Sequence, residues 1–339
     1  MPITMDVFNQ SAFSAISLTQ GVRRLPTVPG LITSMNLFTP VPVRTRIVAV
    51  ESKRNTLNIV RTSEPGAPRT ARGHDKASIT DLRVRRIEEY DRLDAETIQG
   101  IRQFGSETEM KQLQREIAEM QQTLGNDLQA TKERLYLSAI TGILRDSDDS
   151  VIYDYFSTFG IAQPSQIAFN WAARTGVKKF VAQQVVRPII RAIGGVAAPG
   201  MRIVALCGDD FYDDLQENAE YRAQYLNNNN ASKLVEGTAF QGVEAWGVTW
   251  INYRGTDDNS AVAIPTGECR LFPMGVRDLF QEAFAPRPSF EFVNTRGQEW
   301  YSHIVRDRDH DEWVKLYLES YRLPICTRPE ALRDGRTGA

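Results

Sequence analysis

The sequence predicts an α+β subunit with an extended arm, one very long helix and an inserted second domain. Three observations lead there. Residues 44–93 are Arg-rich and punctuated by Pro and Gly. They run straight into an amphipathic stretch at 106–146, which as a helix would be about 60 Å long at ~1.5 Å per residue. Helix-like and strand-like segments then follow in blocks, without the alternation of βα units. A charged arm beside a lever longer than a typical domain describes a chain that completes its burial against copies of itself.

The 339 residues give room for a large core or about two domains. Hydrophobic content of 42% and charged content of 24% are ordinary for a soluble globular protein. The net charge of −2 offers no global positive field to hold nucleic acid by counterion release. No apolar run reaches the roughly 18 residues of a membrane span. Met1–Gln20 lacks a basic end followed by an apolar block, so no secretory signal is expected. Cys207, Cys269 and Cys326 lie far apart and form no CxxC pair. Such sparse cysteines are expected as reduced, buried thiols in a cytoplasmic product.

The elements follow in order. Asp6-Val-Phe-Asn caps a short helical start carrying Phe8, Phe13, Ile16 and Leu18. Pro26, Pro29, Gly30, Pro40 and Pro42 then favour extended backbone. Leu31, Ile32, Met35, Leu37 and Phe38 in this arm need something to cover them. Arg46–Val50 and Thr56–Val60 are β-branched around a polar turn, which predicts a hairpin. Residues 62–77 read as an irregular tip. Ile79, Leu82, Val84 and Ile87 mark a return strand.

Ser106 with Glu109 forms a capping-box pattern at the start of the long helix. Met110, Leu113, Ile117, Met120 and Leu124 continue one apolar stripe, and Gly125-Asn126 is a candidate bend. A hairpin is expected at 140–156, a helix at 164–193 strained by Pro188, a buried strand at Ile203–Cys207 and a single helix at Asp209–Asn227. Short strands are then expected at Glu244–Tyr253, Ala261–Ile264 and Arg270–Phe272, with a late strand at 313–323 before Pro324.

Three clusters invite chemical readings. Cys207-Gly-Asp-Asp-Phe-Tyr-Asp-Asp214 places carboxylates after a strand, as a metal-dependent phosphoryl-transfer site would want. Helix capping by Asp209 or Asp210, with Asp213 and Asp214 near the positive helix end, explains it more simply. The run Arg306–Glu312 around His310 has neither zinc nor calcium spacing and reads as a solvated turn. Gly194–Gly200 lacks the Lys-Ser/Thr of a phosphate loop and precedes a strand, so it too reads as a turn. His74 and His303 have no nucleophile partner in the sequence. No catalytic, cofactor or metal site is therefore expected.

Charge is distributed unevenly. Residues 44–93 hold twelve Lys/Arg and seven Asp/Glu, a net of +5, while 207–236 hold two basic and seven acidic residues, a net of −5. The arm mixes its bases with acids and carries no aromatic stacking platform, which favours protein–protein complementarity over nucleic-acid binding.

The order of segments resembles the phage major capsid protein E family, the lambda-like head proteins. Asp6-Val-Phe-Asn with Phe13, Leu18-Thr19, Leu25-Pro26, Pro29-Gly30 and Leu37-Phe38 is similar to the family's N-terminal arm. Arg44–Glu51 and Leu57–Val60 resemble the entry into its extended loop, and Ala139-Ile-Thr-Gly142 the end of its spine helix. Phe292-Val-Asn-Thr-Arg-Gly297 with Tyr301, then Glu319–Ile325 with Arg328-Pro329-Glu330, resemble its closing strands. Arg322 inside the closing segment departs from the pattern, and the tip at 62–77 is idiosyncratic.

The resemblance implies the major capsid protein fold of tailed phages and herpesviruses. Placed on this chain, it gives an N-terminal arm at 1–43, an extended loop at 44–94 and a peripheral domain with the spine helix at 95–160. It gives an axial domain at 161–289, and a return to the peripheral domain with a C-terminal tail at 290–339. It implies a non-enzymatic structural subunit of an icosahedral head shell around phage double-stranded DNA, assembled in the host bacterial cytoplasm into hexamers and pentamers. Portal, scaffold and decoration proteins are the further partners, with no membrane. The alternative is a nonviral shell, an encapsulin-like nanocompartment. Arg69, Arg72, Lys76, Arg83, Arg85 and Arg86 are the expected loop-side ion-pair residues. Glu116 and Glu119, or the 207–236 segment, would receive them. Phe8, Phe13, Leu37 and Phe38 are the expected apolar contacts between subunits, each about 1.5–3 kcal/mol when fully buried.

Overall fold

The computed structural model describes residues 13–22, 30–52, 78–96, 109–194, 200–227, 242–253, 262–310 and 312–338. The chain divides into two compact units, each assembled from three separate segments. The first comprises Met1–Val48, Arg83–Glu133 and Glu282–Ile325; the second comprises Ala49–Leu82, Arg134–Gln281 and Cys326–Ala339. In chain order the strands are β1 (Thr39–Pro42), β2 (Ile47–Ser52), β3 (Ser78–Arg83), β4 (Arg85–Asp94), β5 (Ile143–Arg145), β6 (Val151–Asp154) and β7 (Ile167–Ala168). They continue as β8 (Arg202–Cys207), β9 (Val243–Ala245), β10 (Val248–Asn252), β11 (Glu268–Met274) and β12 (Phe280–Phe284). The last are β13 (Tyr301–Arg306), β14 (Trp313–Cys326) and β15 (Arg333–Arg336). Helix and sheet are mixed in the α+β manner the sequence predicts.

The first unit is built on a five-stranded sheet in the order β1-β12-β14-β13, with β4 also paired to β14. The long helix runs Glu109–Ile140, about 48 Å at ~1.5 Å per residue. Leu113, Ile117, Leu124 and Leu128 on one of its faces pack with Leu93, Trp300, Val314, Leu316 and Leu318 from the sheet side. The helix runs unbroken through Gly125-Asn126 and stops at Ile140, short of the expected residue 146. Gly142 there has φ +80°, a conformation an L side chain resists, and an added Cβ would meet the Phe156 ring at 2.5 Å. The β5–β6 hairpin follows at once. The expected helix cap at Ser106 lies outside the described residues.

Two expectations about the N-terminal segment need correction. Phe13, Leu18 and Val22, on and just before the Ala15–Val22 helix, join the first unit's own core. Thr19 Oγ1 accepts the Ser302 N–H at 3.0 Å. Residues 31–34, expected as extended backbone, form a short helix whose first N–H groups meet the Glu133 carboxylate. Ile32 and Phe38 are buried by their own chain, so the covering partner sought from the sequence is largely intramolecular.

The second unit holds a six-stranded sheet, β7-β15-β11-β8-β10-β9. The expected helix at 164–193 begins only at Val177, because Phe169 and Trp171 leave the backbone to enter an aromatic core with Phe211 and Trp250. Its Gly176 and Val177 N–H groups are accepted by the Glu220 carboxylate at 2.5 and 2.9 Å, a cap no local reading reveals. Val177, Val181, Val185, Ile189 and Ile193 all face the core. A strict spacing of four would drift around a regular helix of ~3.6 residues per turn. The π-helical turn Ala182–Val186 absorbs the excess and accommodates Pro188, whose ring otherwise meets the carbonyl of Gln184.

The expected helix at Asp209–Asn227 is two helices, Asp209–Glu217 and Ala219–Asn227. Buried Asn218 breaks it: its Nδ2 donates to the Trp171 carbonyl, while its Oδ1 accepts the Glu220 and Tyr221 N–H groups. The expected strand Glu244–Tyr253 is a hairpin turning at Trp246 and Gly247, both with positive φ. Residues 262–265 form no strand. β14 continues past Pro324 instead of ending before it. Pairing with β4 stops at Arg322, and strand alternation turns the Pro324 nitrogen to that vacated side, so no ladder bond is lost. Residues 326–338 belong to the second unit, with β15 seated between β7 and β11.

Candidate functional site

The closing strand β14 carries a buried polar cluster. Every residue from Leu318 to Cys326 is buried. Arg322, fully buried, donates through Nε to Ser320 Oγ at 2.8 Å and through Nη1 to Glu282 Oε1 at 3.2 Å. Its Nη2 lies 3.5 Å from Glu299 Oε1, and the guanidinium sits 4.3 Å over the Trp300 ring. Lys132 Nζ reaches the same Glu299 oxygen at 2.7 Å. Burial alone would raise the Glu299 pKa, but Arg322 and Lys132 outweigh it and hold the carboxyl below its ordinary range. Arg322, a departure from the family pattern in the sequence, is thus the hub of a buried ionic cluster.

Two further motif residues acquire a physical role beside it. Gly297 passes so close to β12 that an added Cβ would overlap the Phe284 carbonyl, and its N–H donates to the Val43 carbonyl at 2.8 Å. Tyr301 is fully buried and packs edge-on against Phe292 at 4.9 Å.

A second cluster surrounds Glu319, which accepts the Tyr321 hydroxyl at 2.7 Å and lies 3.5 Å from both Arg287 Nε and His303 Nδ1. Burial first, then the hydrogen bond to Glu319, pushes the Tyr321 hydroxyl up to about 12. The His303 ring stacks on Tyr317 at 4.9 Å. Burial, and after it Arg287, pushes the imidazole down to about 4 against the opposing pull of Glu319. An unfolded histidine takes up its proton near pH ~6.5. The folded one stays neutral to about pH 4. Its contribution is therefore complete above pH ~6.5 and is lost as pH falls through that window, by at most about 3 kcal/mol. His303→Gln is expected to flatten the difference between urea midpoints measured at pH 7 and pH 5. An undiminished difference would assign that pH dependence elsewhere.

The expected contact residues are dispersed. Arg83, Arg85 and Arg86 are exposed where β3 passes into the edge strand β4, and Arg86 Nη1 meets Glu88 Oε2 at 2.6 Å. Glu119 is exposed and 3.9 Å from Arg115 on its own helix; Glu116 is half-buried. Leu37 is half-buried, whereas Phe13 and Phe38 are covered within the chain and are not free to serve a neighbour. Arg69, Arg72, Lys76 and Phe8 lie outside the described residues. Sequence reasoning missed Phe290, which is fully exposed on a short 3-10 turn near exposed Val293.

The acidic run after β8 opens a helix but does not cap it as expected: Gly208 is the N-cap residue, and no side chain makes a capping bond there. Asp209 and Asp210 occupy the first turn of a helix, and Asp209 Oδ1 accepts from Asn252 Nδ2 at 2.9 Å. Burial, then Glu217, Asp210 and Asp213, raise the pKa of Asp214. The Arg306–Glu312 turn closes on Asp307, which accepts the N–H groups of Asp309, His310 and Glu312. Among the described residues no group of three or more His, Cys, Asp or Glu is placed to hold a metal ion. No helix among them is long and apolar enough to cross a membrane.

The fold is that of a capsid shell subunit. It superposes on the putative capsid protein of an E. coli CFT073 prophage with TM-score 0.59, covering 96% of this chain and 99% of that one at 13% identity. The mature capsid of bacteriophage PhiM1 gives TM-score 0.53 over 91% of this chain and 87% of its own, at 11% identity. The chain belongs to the phage major capsid protein E family, whose model matches residues 14–337. It is 23% identical over 366 aligned positions to the major capsid protein of Salmonella phage Felix O1, covering 97% of this chain and 98% of the relative. A second relative, the major capsid protein of Pseudomonas phage KPP10, is 23% identical over 96% of this chain and 97% of its own. The protein is a structural subunit of a phage capsid shell.

Proposed function

We propose that copies of this chain close into the icosahedral head of a tailed phage or prophage around double-stranded DNA, assembling in the bacterial cytoplasm. The 44–94 segment reaches onto a neighbouring subunit as the extended loop. Residues 95–160 and 290–323 take the peripheral role, and 161–289 the axial role. Portal, scaffold and decoration proteins dock on the finished or growing shell, and the DNA is enclosed without sequence-specific contacts. The exposed arginines Arg83, Arg85 and Arg86 carry this reading, since they cluster at the root of the most basic segment. A rim-exposed ion pair is worth only about 0–1 kcal/mol. Repetition over a closed lattice multiplies that small term, because each added contact is made within an already tethered assembly. The net charge of −2 also suits a shell that must not trap its cargo by phosphate contacts.

The triple variant Arg83→Glu, Arg85→Glu, Arg86→Glu is expected to stay folded, with a melting temperature near that of the parent. Negative-stain micrographs should show few or no closed particles. Particles at the parental yield would remove the loop-contact reading.

A further inference from the structure

We propose that Cys207 and Cys269 are a latent cross-strand disulfide site in the sheet of the second unit, closed by a small peroxide-class oxidant. The two residues are direct partners in the antiparallel β8–β11 register. The Gly208 N–H donates to the Glu268 carbonyl at 2.9 Å. That bond joins the residue after Cys207 to the residue before Cys269, which makes the cysteines a non-hydrogen-bonded pair. Such pairs bring Cα atoms to about 4.5 Å with both side chains on one face. A disulfide accepts Cα separations of about 4.4–6.8 Å, so the backbone already stands where the bond requires it.

The side chains agree with the backbone. Both residues are free cysteines with no exposed surface in one core, and Cys207 Sγ donates to the Ala205 carbonyl at 3.8 Å. Hydrogen-bonded neighbours on the outer flanks, β15 beside β11 and β10 beside β8, hold the register in place. Burial first, and the Cys207 contact next, raises the Cys269 thiol well above its ordinary value. The thiolate is therefore scarce, and the reaction is paced by local opening of the sheet and accelerated by higher pH.

The chemistry balances with hydrogen peroxide. One sulfur attacks the O–O bond, giving a sulfenic acid and one water. The second thiol attacks that sulfur, forming the S–S bond and expelling a second water; two thiols are oxidised and one peroxide is reduced. The new bond ties residues 207 and 269 in the unfolded chain, which stabilises the second unit.

The full-length chain, treated with hydrogen peroxide and then denatured, alkylated and digested without reductant, is the test. A linked peptide pair carrying Cys207 and Cys269, two hydrogens lighter and released by dithiothreitol, is expected, with Cys326 still alkylated. The oxidised protein should melt several degrees higher, and Cys207→Ala or Cys269→Ala should abolish that rise. Recovery of both residues as alkylated thiols, as sulfinic or sulfonic acids, or paired to Cys326 or to a second chain would overturn the proposal. The parent peptide result decides the matter even if neither alanine variant folds.

Discussion

Arg322→Ala is expected to cost about 3–5 kcal/mol of subunit stability, the range for removing one partner of a buried ion pair. The guanidinium satisfies Glu282, which is almost fully buried, and shares Glu299 with Lys132. Its loss leaves the Glu282 carboxylate without its arginine in a dry site and opens a void against Trp300. Urea unfolding of the parent and variant subunits measures the loss directly. Removing both charges tests the cause. Arg322→Met with Glu282→Leu should recover most of the loss, because an apolar pair of similar volume removes both buried charges together. A single-variant loss below about 1 kcal/mol would show that the cluster is solvated or repaired by its surroundings.

Glu133→Ala should be nearly as damaging, at about 2–4 kcal/mol, since buried backbone donors without an acceptor cost about 1–3 kcal/mol each. Glu133 Oε1 accepts the Ile32 N–H at 2.7 Å, while Oε2 accepts the Thr33 N–H at 3.1 Å and the Thr33 hydroxyl at 2.8 Å. The carboxylate stands in for the capping side chain that Gly30 lacks. Glu133→Gln keeps one carbonyl acceptor and should lose about half as much, again by urea midpoint. Equal losses for the two variants would mean that the charge, and not the capping geometry, holds the segment.

These two residues also show where reading the sequence stopped. Period and apolar stripe placed the long helix, the β5–β6 hairpin, the buried strand β8 and the turn between β13 and β14, because each is decided by neighbours a few residues away. The order of loose motifs carried the family. What stayed hidden was decided at long range. Glu133 caps a helix 101 residues earlier, and Glu220 caps one 43 residues earlier, so the segments at 31–34 and 164–176 were misjudged. Asn218 looked like one polar residue on a helix face, yet its side chain reaches Trp171 and splits the helix. Arg322 appeared as an irregularity because a buried cation is recognised only beside its anions. The exposure of Arg83, Arg85 and Arg86 agrees with their charge, since three cations in one short stretch seldom leave water. For Phe13 and Phe38 the same reasoning overreached, since an apolar residue in an arm-like stretch does not reveal which body covers it.

The position of β15 has a further consequence for biosynthesis. This strand sits inside its sheet, yet it leaves the ribosome after all of that sheet's other strands. Until it emerges, β7 and β11 have no strand to bridge them. Prematurely terminated products therefore carry an unfinished sheet.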